Sequence, residues 1–459
     1  MRVLQLSLRP VVVAQRSGFQ QSIRLCSSHA DQAHPKEPSA DEERESLDHR
    51  HIGTQQQLYM INALTPGSVF FLPHGTRIYN RLLSFMRAQL SVFGFDEVVS
   101  PIIYKKSLWE TSGHWDKYKD DMFGVLGRNE ETKEEFGLKP MNCPGHCLIF
   151  KATEKSYREL PVRYSDFSPL HRNEASGALS GLTRVRRFHQ DDGHIFCRSD
   201  QVQEEIKASL QLMGNVYQVF KLSSYKFLLS TRPDQYIGSL EEWNRAEADL
   251  KTALEESNHE FQINEKDGAF YGPKIDVLLK DSNGKEHQAA TIQLDFQLPQ
   301  RFELSYRGPD DTLNHRPVMI HRAVFGSLER FLAVMIDQFQ GKWPLWLSPR
   351  QMMVVPIADR HAEYARKVQA ELSGVDTRGA PGIQSINTSV LYVDVDDRQT
   401  TLGLRIRDAI QKGYNYVAVV GDKEMETGFV ALRKPQGKAS SVSIEEARQT
   451  LLYQIAKYE

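Results

Sequence analysis

The spacing of apolar side chains between residues 75 and 94 predicts an amphipathic helix. Apolar residues recur there mostly at steps of three and four, at Ile78, Leu82, Leu83, Met86, Leu90 and Phe93. This period places them on one helix face, and Gly94 supplies the glycine with which many helices end. The segment EVVS then leads into Pro101, where a proline suits the end or the edge of a strand.

The middle of the chain predicts an α+β domain. Strand-like segments are VRYSDFSPL, TRVRRFHQDDGHIF, AFYGPKIDVLLK and ATIQLDFQL, and a helical pattern occupies residues 201–219 between them. The strands gather before and after helices instead of alternating strictly with them. This order favours a largely antiparallel sheet.

The last 110 residues, from about residue 348, predict an independent α/β domain. MMVVPIA, VLYVDV and YVAVVG are buried-strand runs, separated by helical stretches that begin near His361 and Thr401. Ser443 and Glu446 have the spacing of a capping box for a final helix.

Composition describes an ordinary globular chain long enough for two or three domains. Of its 459 residues 40% are hydrophobic and 25% charged, and the net charge of -2 gives no global basic field. Contact with a nucleic acid would therefore need local patches and shape. Four scattered cysteines do not make a disulfide framework, and no run of 18 apolar residues occurs, so we expect no membrane span.

The first 30 residues predict a targeting segment. They contain four arginines and no acidic residue, which is typical of a mitochondrial transit peptide; a disordered basic tail is the alternative. Residues 31–50 are acidic and poor in apolar side chains, which predicts a linker.

Two stretches carry candidate chemistry. Residues 169–196 place arginines on both sides of a loop rich in glycine, serine and alanine, which suits either a polyanion site or a solvated charged hairpin. No phosphate-binding glycine motif occurs, so a nucleotide would be held differently. MNCPGHC suggests a metal site, yet Cys143, His146 and Cys147 match no usual zinc spacing.

Several motifs in order resemble a known family. PLHRNE followed by RRFHQDDGH resembles the second signature of class II aminoacyl-tRNA synthetases, GSLERF resembles the third, and residues 67–101 resemble the first. With MNCPGHC, SGHW, FYGPKID, TIQLDF and MIHRA added, the chain from about residue 49 onwards resembles the threonyl-tRNA synthetases.

The resemblance implies an ATP site with bound Mg²⁺. Arg172 would bind the α-phosphate, and Glu174 would accept from the adenine amino group. Phe188 would stack on the base, with Arg330 on its other side. Arg184 and Arg330 would hold the β- and γ-phosphates.

The resemblance also implies a zinc ion held by Cys143, His194 and His321, with threonine filling an open coordination position. Neither His146 nor Cys147 is implied as a ligand. The residues completing the amino-acid pocket would be Asp192, Tyr271 and Gln293. His114 would serve the transfer of threonine to tRNA.

Domains and partners follow from the same resemblance. A catalytic domain would span residues 51–345 and an anticodon-binding domain 348–459, where Glu424 and Arg433 would contact anticodon bases. We expect a homodimer that charges tRNA(Thr) in the mitochondrial matrix. About 50 residues before the catalytic body leave no room for the editing domain of many members, so we expect a shortened form.

Two alternatives remain open. A sister enzyme for proline or serine would not use the zinc triad of Cys143, His194 and His321. A synthetase-like RNA-binding protein without catalysis would not need Arg172 and the other ATP-binding residues.

Overall fold

The computed structural model describes residues 48–127, 134–222, 225–257, 259–280, 284, 286–375 and 390–459. The predicted transit peptide and most of the predicted linker lie outside these residues. Thirteen α-helices occur in the described residues: α1 (His49–Gln55), α2 (Pro73–Val92), α3 (Lys106–Ser112), α4 (Trp115–Tyr118), α5 (Cys143–Lys151), α6 (Val202–Val219), α7 (Leu240–Glu256), α8 (Gln297–Arg301), α9 (Leu328–Phe339), α10 (Ala362–Ser373), α11 (Leu402–Gln411), α12 (Asp422–Thr427) and α13 (Ile444–Ala456).

The strands of the described residues form five sheets. In chain order they are β1 (Tyr59–Met60), β2 (Phe70–Phe71), β3 (Asp96–Glu97), β4 (Ile103–Lys105), β5 (Gly124–Val125), β6 (Phe136–Leu138), β7 (Val162–Asp166), β8 (Leu170–His171), β9 (Arg187–Phe188), β10 (Asp192–Cys197), β11 (Tyr225–Ser230), β12 (Phe261–Asn264), β13 (Lys274–Lys280), β14 (Glu286–Asp295), β15 (Val318–Ala323), β16 (Met352–Pro356), β17 (Val393–Val395), β18 (Tyr416–Val420), β19 (Phe429–Arg433) and β20 (Ser440–Ser443).

An eight-stranded sheet organises the larger domain, in the order β12-β11-β13-β14-β15-β10-β7-β3. The β3–β7 and β11–β12 pairs are parallel and the other pairs are antiparallel. The largely antiparallel α+β fold is therefore confirmed. Helices α2, α6 and α9 supply apolar faces to the main core, which includes Leu82, Ile206 and Phe331.

The amphipathic helix at residues 75–94 is present as α2. Its predicted apolar positions Ile78, Leu82 and Met86 are fully buried, and Gly94 has a φ of 74° just beyond its end. A residue with a Cβ is strained in that left-handed conformation, which explains why glycine ends this helix.

One predicted strand is interrupted. Residues 183–196 form β9, which pairs with β8, and β10, which lies in the large sheet. Between these strands, the backbone amide of His189 donates to the Glu329 carboxylate. The backbone carbonyl of His189 accepts from the amide of Leu328. The beginning of α9 thus takes the backbone bonds that a continuous strand would need.

The smaller domain contains a five-stranded sheet in the order β17-β16-β18-β19-β20. Strands β16, β17 and β18 are parallel, and β19 and β20 add antiparallel strands at one edge. Ser443 caps α13 by accepting from the amide of Glu446, as its spacing predicts. Among the described residues, no helix combines the length and apolar character needed to cross a membrane.

Ordered structure before the large sheet begins earlier than residue 51. Helix α1 begins at His49, which is 5% exposed, and Asp48 caps it by accepting from the amide of Arg50. The last residues of the predicted linker therefore belong to the folded body.

Candidate active site

Five predicted ATP-binding residues line one cavity of about 180 Å³; they are Arg172, Glu174, Arg184, Phe188 and Arg330. The Arg172 guanidinium lies 5.0 Å from the centre of the Phe188 ring. Glu174 Oε2 accepts from Arg184 Nε at 2.9 Å. The structure thus brings together residues that are up to 158 positions apart in the sequence.

Arginine charge in this cavity is only partly compensated. Burial, and next the neighbouring charges of Arg172 and Arg184, lower the pKa of Arg330. Its Nε donates to the carbonyl of Thr183 at 3.1 Å, and its Nη1 donates to the carbonyl of Gln288 at 3.1 Å. Neutral carbonyls orient this guanidinium and leave its charge available to an anion.

Two adjacent strands run from this cavity to the predicted metal ligands. Thr291 on β14 and Ala323 on β15 line the cavity and are paired in register. Two residues along each strand lie Gln293 and His321, also a register pair. Because side chains at i and i+2 share a sheet face, both sites lie on one side of the sheet.

The three predicted zinc ligands form one cluster. Cys143 is the first residue of α5, while His194 on β10 pairs in register with His321 on β15. One ligand atom from each of the three lies within 4.8 Å of the others. A sulfur and two imidazole nitrogens at this spacing fit a zinc ion with an open fourth position.

Buried partners orient both histidine rings. His321 Nε2 lies 2.9 Å from Asp295 Oδ2, so Nδ1 faces the cluster, 2.9 Å from His194 Nε2. His194 Nδ1 lies 2.7 Å from His146 Nδ1, and His146 Nε2 lies 3.5 Å from Asp166. The rings of His194 and His321 each have one nitrogen in contact with a buried partner and the other directed at the metal position. This is the usual arrangement of histidines around bound zinc.

Protonation states also suit a cation. Burial, and next the charges of His146 and His321, lower the pKa of His194, which leaves its imidazole neutral with a lone pair. Burial raises the pKa of the Cys143 thiol, so the thiol remains protonated unless a cation replaces its proton.

The predicted amino-acid pocket surrounds this cluster. Asp192 accepts from the Asn142 side chain at 3.1 Å and lies 3.8 Å from His194 Nε2. The hydroxyl of Tyr271 donates to Gln293 Oε1 at 3.2 Å, and its ring centre lies 5.4 Å from that of His321. A buried carboxylate beside a metal position can bind the ammonium group of an amino acid.

His114 lies beside the pocket with one nitrogen uncommitted. Its ring centre lies 6.2 Å from that of Tyr271. Ser112 Oγ donates to the carbonyl of Trp109 and therefore accepts from His114 Nδ1, at 2.8 Å. His114 Nε2 is buried and has no hydrogen-bond partner among the described residues. Burial lowers the pKa of His114 to about 4, so Nε2 is an unprotonated base near pH 7.

The two predicted anticodon contacts lie in the smaller domain. Glu424 lies on α12, and its carboxylate accepts from the amide of Gly421 at 3.0 Å. Arg433 is the last residue of β19 and is half-buried.

The sequence analysis does not identify the residues that support the predicted ligands. Asp295 and Asp166 are fully buried, and each occurs in a strand of otherwise ordinary composition. An aspartate at a core-facing position of a strand could have indicated such a role, because a buried charge is seldom tolerated without a partner. His146 was noticed in MNCPGHC, and the structure places it behind the predicted ligand His194.

Comparisons with known proteins agree with these two domains. Residues 123–339 match the tRNA synthetase class II core domain (G, H, P, S and T), and residues 351–453 match an anticodon binding domain.

Two relatives match over most of their length. A probable mitochondrial threonine--tRNA ligase of Schizosaccharomyces pombe is 48% identical, over 90% of this chain and 90% of that protein. The mitochondrial threonine--tRNA ligase of Saccharomyces cerevisiae is 50% identical, over 85% of this chain and 87% of that protein. A solved structure titled as the RNA binding domain of threonyl-tRNA synthetase from Cryptosporidium parvum has a TM-score of 0.82 and 42% identity, covering 89% of this chain and 98% of that one.

Proposed function

Because the chain belongs to the class II threonyl-tRNA synthetases, we propose that it activates L-threonine with ATP and transfers the threonyl group to tRNA(Thr). The observation that carries this proposal is a shared sheet face. Strands β14 and β15 bear residues of the arginine-lined cavity and, two positions away, residues around the Cys–His–His cluster. Nucleotide and amino acid would thus meet over one rigid surface.

Activation would depend on the arginines. The threonine carboxylate attacks the α-phosphorus, and the bond to pyrophosphate breaks. Arg172 would stabilise the charge that develops on the α-phosphate oxygens, while Arg184 and Arg330 would hold the departing phosphates, with Mg²⁺ bound to ATP. Phe188, stacked by Arg172, would support the adenine ring, and Glu174 would accept from its amino group.

Selection of threonine would depend on Cys143, His194 and His321. These residues would hold a zinc ion, which would supply a Lewis acid for the amino and hydroxyl groups of threonine. Asp192 would bind the substrate ammonium group, and the Tyr271–Gln293 pair would close the pocket. Such a site would favour threonine over proline, because proline has no hydroxyl group to bind the zinc ion.

Transfer to tRNA would use His114 as the base. Its free Nε2 would accept the proton of the terminal ribose hydroxyl as that oxygen attacks the threonyl carbonyl and AMP leaves. The Ser112 contact keeps the ring proton on Nδ1, which is the tautomer this role needs.

The smaller domain would recognise tRNA(Thr) through Glu424 and Arg433.

We also propose a homodimer in the mitochondrial matrix, with residues 1–30 as a removable import segment. The arginine-rich, acid-free composition of that segment supports import, as do the mitochondrial names of the two relatives. Deleting residues 1–30 should leave a tagged protein outside mitochondria, whereas unchanged import would contradict this assignment.

Charging of a tRNA(Thr) transcript tests the proposed function. The purified protein should attach radiolabelled threonine when ATP is present, and Arg172→Ala should lower the rate by several orders of magnitude without unfolding the protein. The exposed Arg158→Ala is the matched control. Charging with serine or proline in preference to threonine, or no charging by folded protein, would contradict the proposal.

A further inference from the structure

Helix α1 contributes a buried histidine that no role above uses. His49 is 5% exposed, and its ring lies between a turn of the ATP cavity and helix α9. The amide of Leu182 donates to His49 Nε2 at 3.3 Å. On the other side of the ring, His49 Nδ1 lies 2.7 Å from Asp48 Oδ1 and 3.8 Å from Asp337 Oδ2.

These contacts fix the tautomer of the ring. Because Nε2 accepts from a backbone amide, the ring proton resides on Nδ1, which lies close to Asp48 Oδ1. Asp48 in turn accepts from the amide and the guanidinium of Arg50. Ligand atoms of Asp48, His49 and Asp337 lie within 4.8 Å of one another, but a cation there would have to displace the Nδ1 proton. A ring proton on Nδ1, beside the two carboxylates, therefore accounts for this group better than metal binding does.

The turn that His49 contacts is part of the ATP cavity. Residues 180–184 are closed by hydrogen bonds between Ser180 and Arg184, and Thr183 and Arg184 both line the cavity. The carbonyl of Thr183 accepts from Arg330 Nε at 3.1 Å. His49 therefore binds the amide of Leu182, and the adjacent residue, Thr183, orients Arg330.

Close approach at the turn requires a glycine. Gly181 has a φ of 47°, and a Cβ at this position would collide with His49 Nε2. Only glycine allows both this backbone conformation and the contact with the ring. Leu182 is itself fully buried, which anchors the apex of the turn beside the imidazole.

Helix α9 completes the arrangement. It carries Arg330 near its start and Asp337 seven residues later, which places both on the same helix face, two turns apart. Helix α1 packs against α9. Asp337 is 5% exposed, and its Oδ1 has no hydrogen-bond partner among the described residues. This carboxylate favours the Nδ1 proton of His49 electrostatically and links the ring to the helix that carries Arg330.

We propose that His49 is a positioning residue for the ATP site. Its ring connects helix α1 with the turn that bears Arg184 and with the helix that bears Arg330. His49 does not touch the nucleotide. It fixes the amide of Leu182, and through this turn it fixes the geometry of two arginines that would bind phosphates. This inference deepens the proposed function and rests on it, because it assumes that ATP binds in the arginine-lined cavity.

The test compares three variants in ATP affinity and in ATP–pyrophosphate exchange. His49→Ala should raise the KM and the Kd for ATP about tenfold, the effect of losing one hydrogen bond, while the KM for threonine stays unchanged. His49→Gln should recover most of the affinity, because its side-chain oxygen can accept from Leu182 at the place of Nε2. His51→Ala, which alters an exposed histidine of the same helix, should behave as wild type.

The outcomes separate a positioning role from a structural one. Equal rises in the KM for ATP and for threonine, accompanied by lower thermal stability, would show that His49 only supports the fold and would overturn the proposal. An ATP affinity unchanged in His49→Ala would also overturn it. If wild-type protein binds ATP but catalyses no exchange, the proposed function fails, and the ATP affinities of the variants still decide the role of His49.

Discussion

Buried partners behind the reactive side chains set their proton positions. Asp295 and His146 direct the free nitrogens of His321 and His194 towards Cys143. Ser112 binds Nδ1 of His114 and leaves Nε2 without a hydrogen-bond partner among the described residues. Motif spacing does not reveal the partners of His321 and His194, because they are 26 and 48 residues away in the sequence and meet these rings only in the folded protein. The resemblance implies the ligands, and the buried partners account for the orientation of these histidine rings.

Removing the partner of His321 should weaken zinc binding. Asp295→Asn keeps the shape of the side chain but loses the charge that favours the Nε2 proton of His321, so we expect zinc affinity to fall about 10- to 100-fold. Competition against a chromophoric chelator measures this affinity. Asp310→Asn alters an exposed aspartate that makes a similar 2.9 Å contact with His315 and should change nothing. Equal zinc affinity in Asp295→Asn and wild type would contradict the assigned role.

The pH dependence of transfer should show that His114 is already neutral. Its folded pKa of about 4 lies below the ordinary value of 6.5, so between these pH values the unfolded chain binds a proton that the folded chain does not. The stability contributed by His114 is therefore present above pH 6.5 and is lost as the pH falls towards 4.

Single-turnover transfer from preformed threonyl-adenylate should consequently stay constant between pH 8 and about 5.5. Rapid-quench measurement of labelled tRNA gives this rate. An acidic decline centred near pH 6.5 that disappears in His114→Asn would mean that burial does not lower the pKa of this base.

Apolar periodicity predicts only some of the helices and strands around the site. Helix α2 and the strands β14, β16 and β18 follow from apolar periodicity, because each buries one face or both faces in a core. Apolar periodicity does not predict strand β15, because two of its buried residues, His321 and Arg322, are polar. The sequence shows this segment only as a motif. The break between β9 and β10 was not predicted either, because the contact of His189 with α9 joins residues 140 positions apart.

Removing the N-terminal cap of α9 should weaken the binding of ATP specifically. Ser327 caps this helix by accepting from the amide of Arg330 at 3.2 Å, so Ser327→Ala should cost about 1 kcal/mol of stability and misplace the arginine. We expect a several-fold rise in the KM for ATP in pyrophosphate exchange. Ser239→Ala removes the equivalent cap of α7 and should lose similar stability with no change in that KM. Identical KM values for both variants would argue against the role of this cap.

At the scale of the whole molecule, the contacts that join the two domains include polar contacts of two arginines. Arg350 donates to the carbonyl of Gln56 at 3.0 Å and lies 3.3 Å from His74 Nδ1, while Arg77 donates to the carbonyl of Pro349 at 2.8 Å. The sequence predicted both domains because each has its own apolar pattern. Their junction could not be predicted, since its contacts join residues more than 270 positions apart.

Arg433 should matter for tRNA and not for activation. If it contacts an anticodon base, Arg433→Ala should cost about 1–3 kcal/mol of tRNA binding, which raises the KM for tRNA at least several-fold. Pyrophosphate exchange, which needs no tRNA, should remain at the wild-type rate. Arg407→Ala, an exposed arginine on α11 in the same domain, is the control. Equal losses in exchange and in charging would contradict recognition by this domain.

The most direct test of the central claim is amino-acid-dependent ATP–pyrophosphate exchange by the zinc-loaded protein, compared across threonine, serine, valine and proline. Threonine should give the highest kcat/KM, and serine, which lacks only a methyl group, should fall about 10- to 200-fold. Valine lacks the hydroxyl that would bind the metal and should fall by roughly 10⁴-fold or more. Exchange with valine or proline comparable to that with threonine would contradict selection of threonine at the Cys143–His194–His321 cluster.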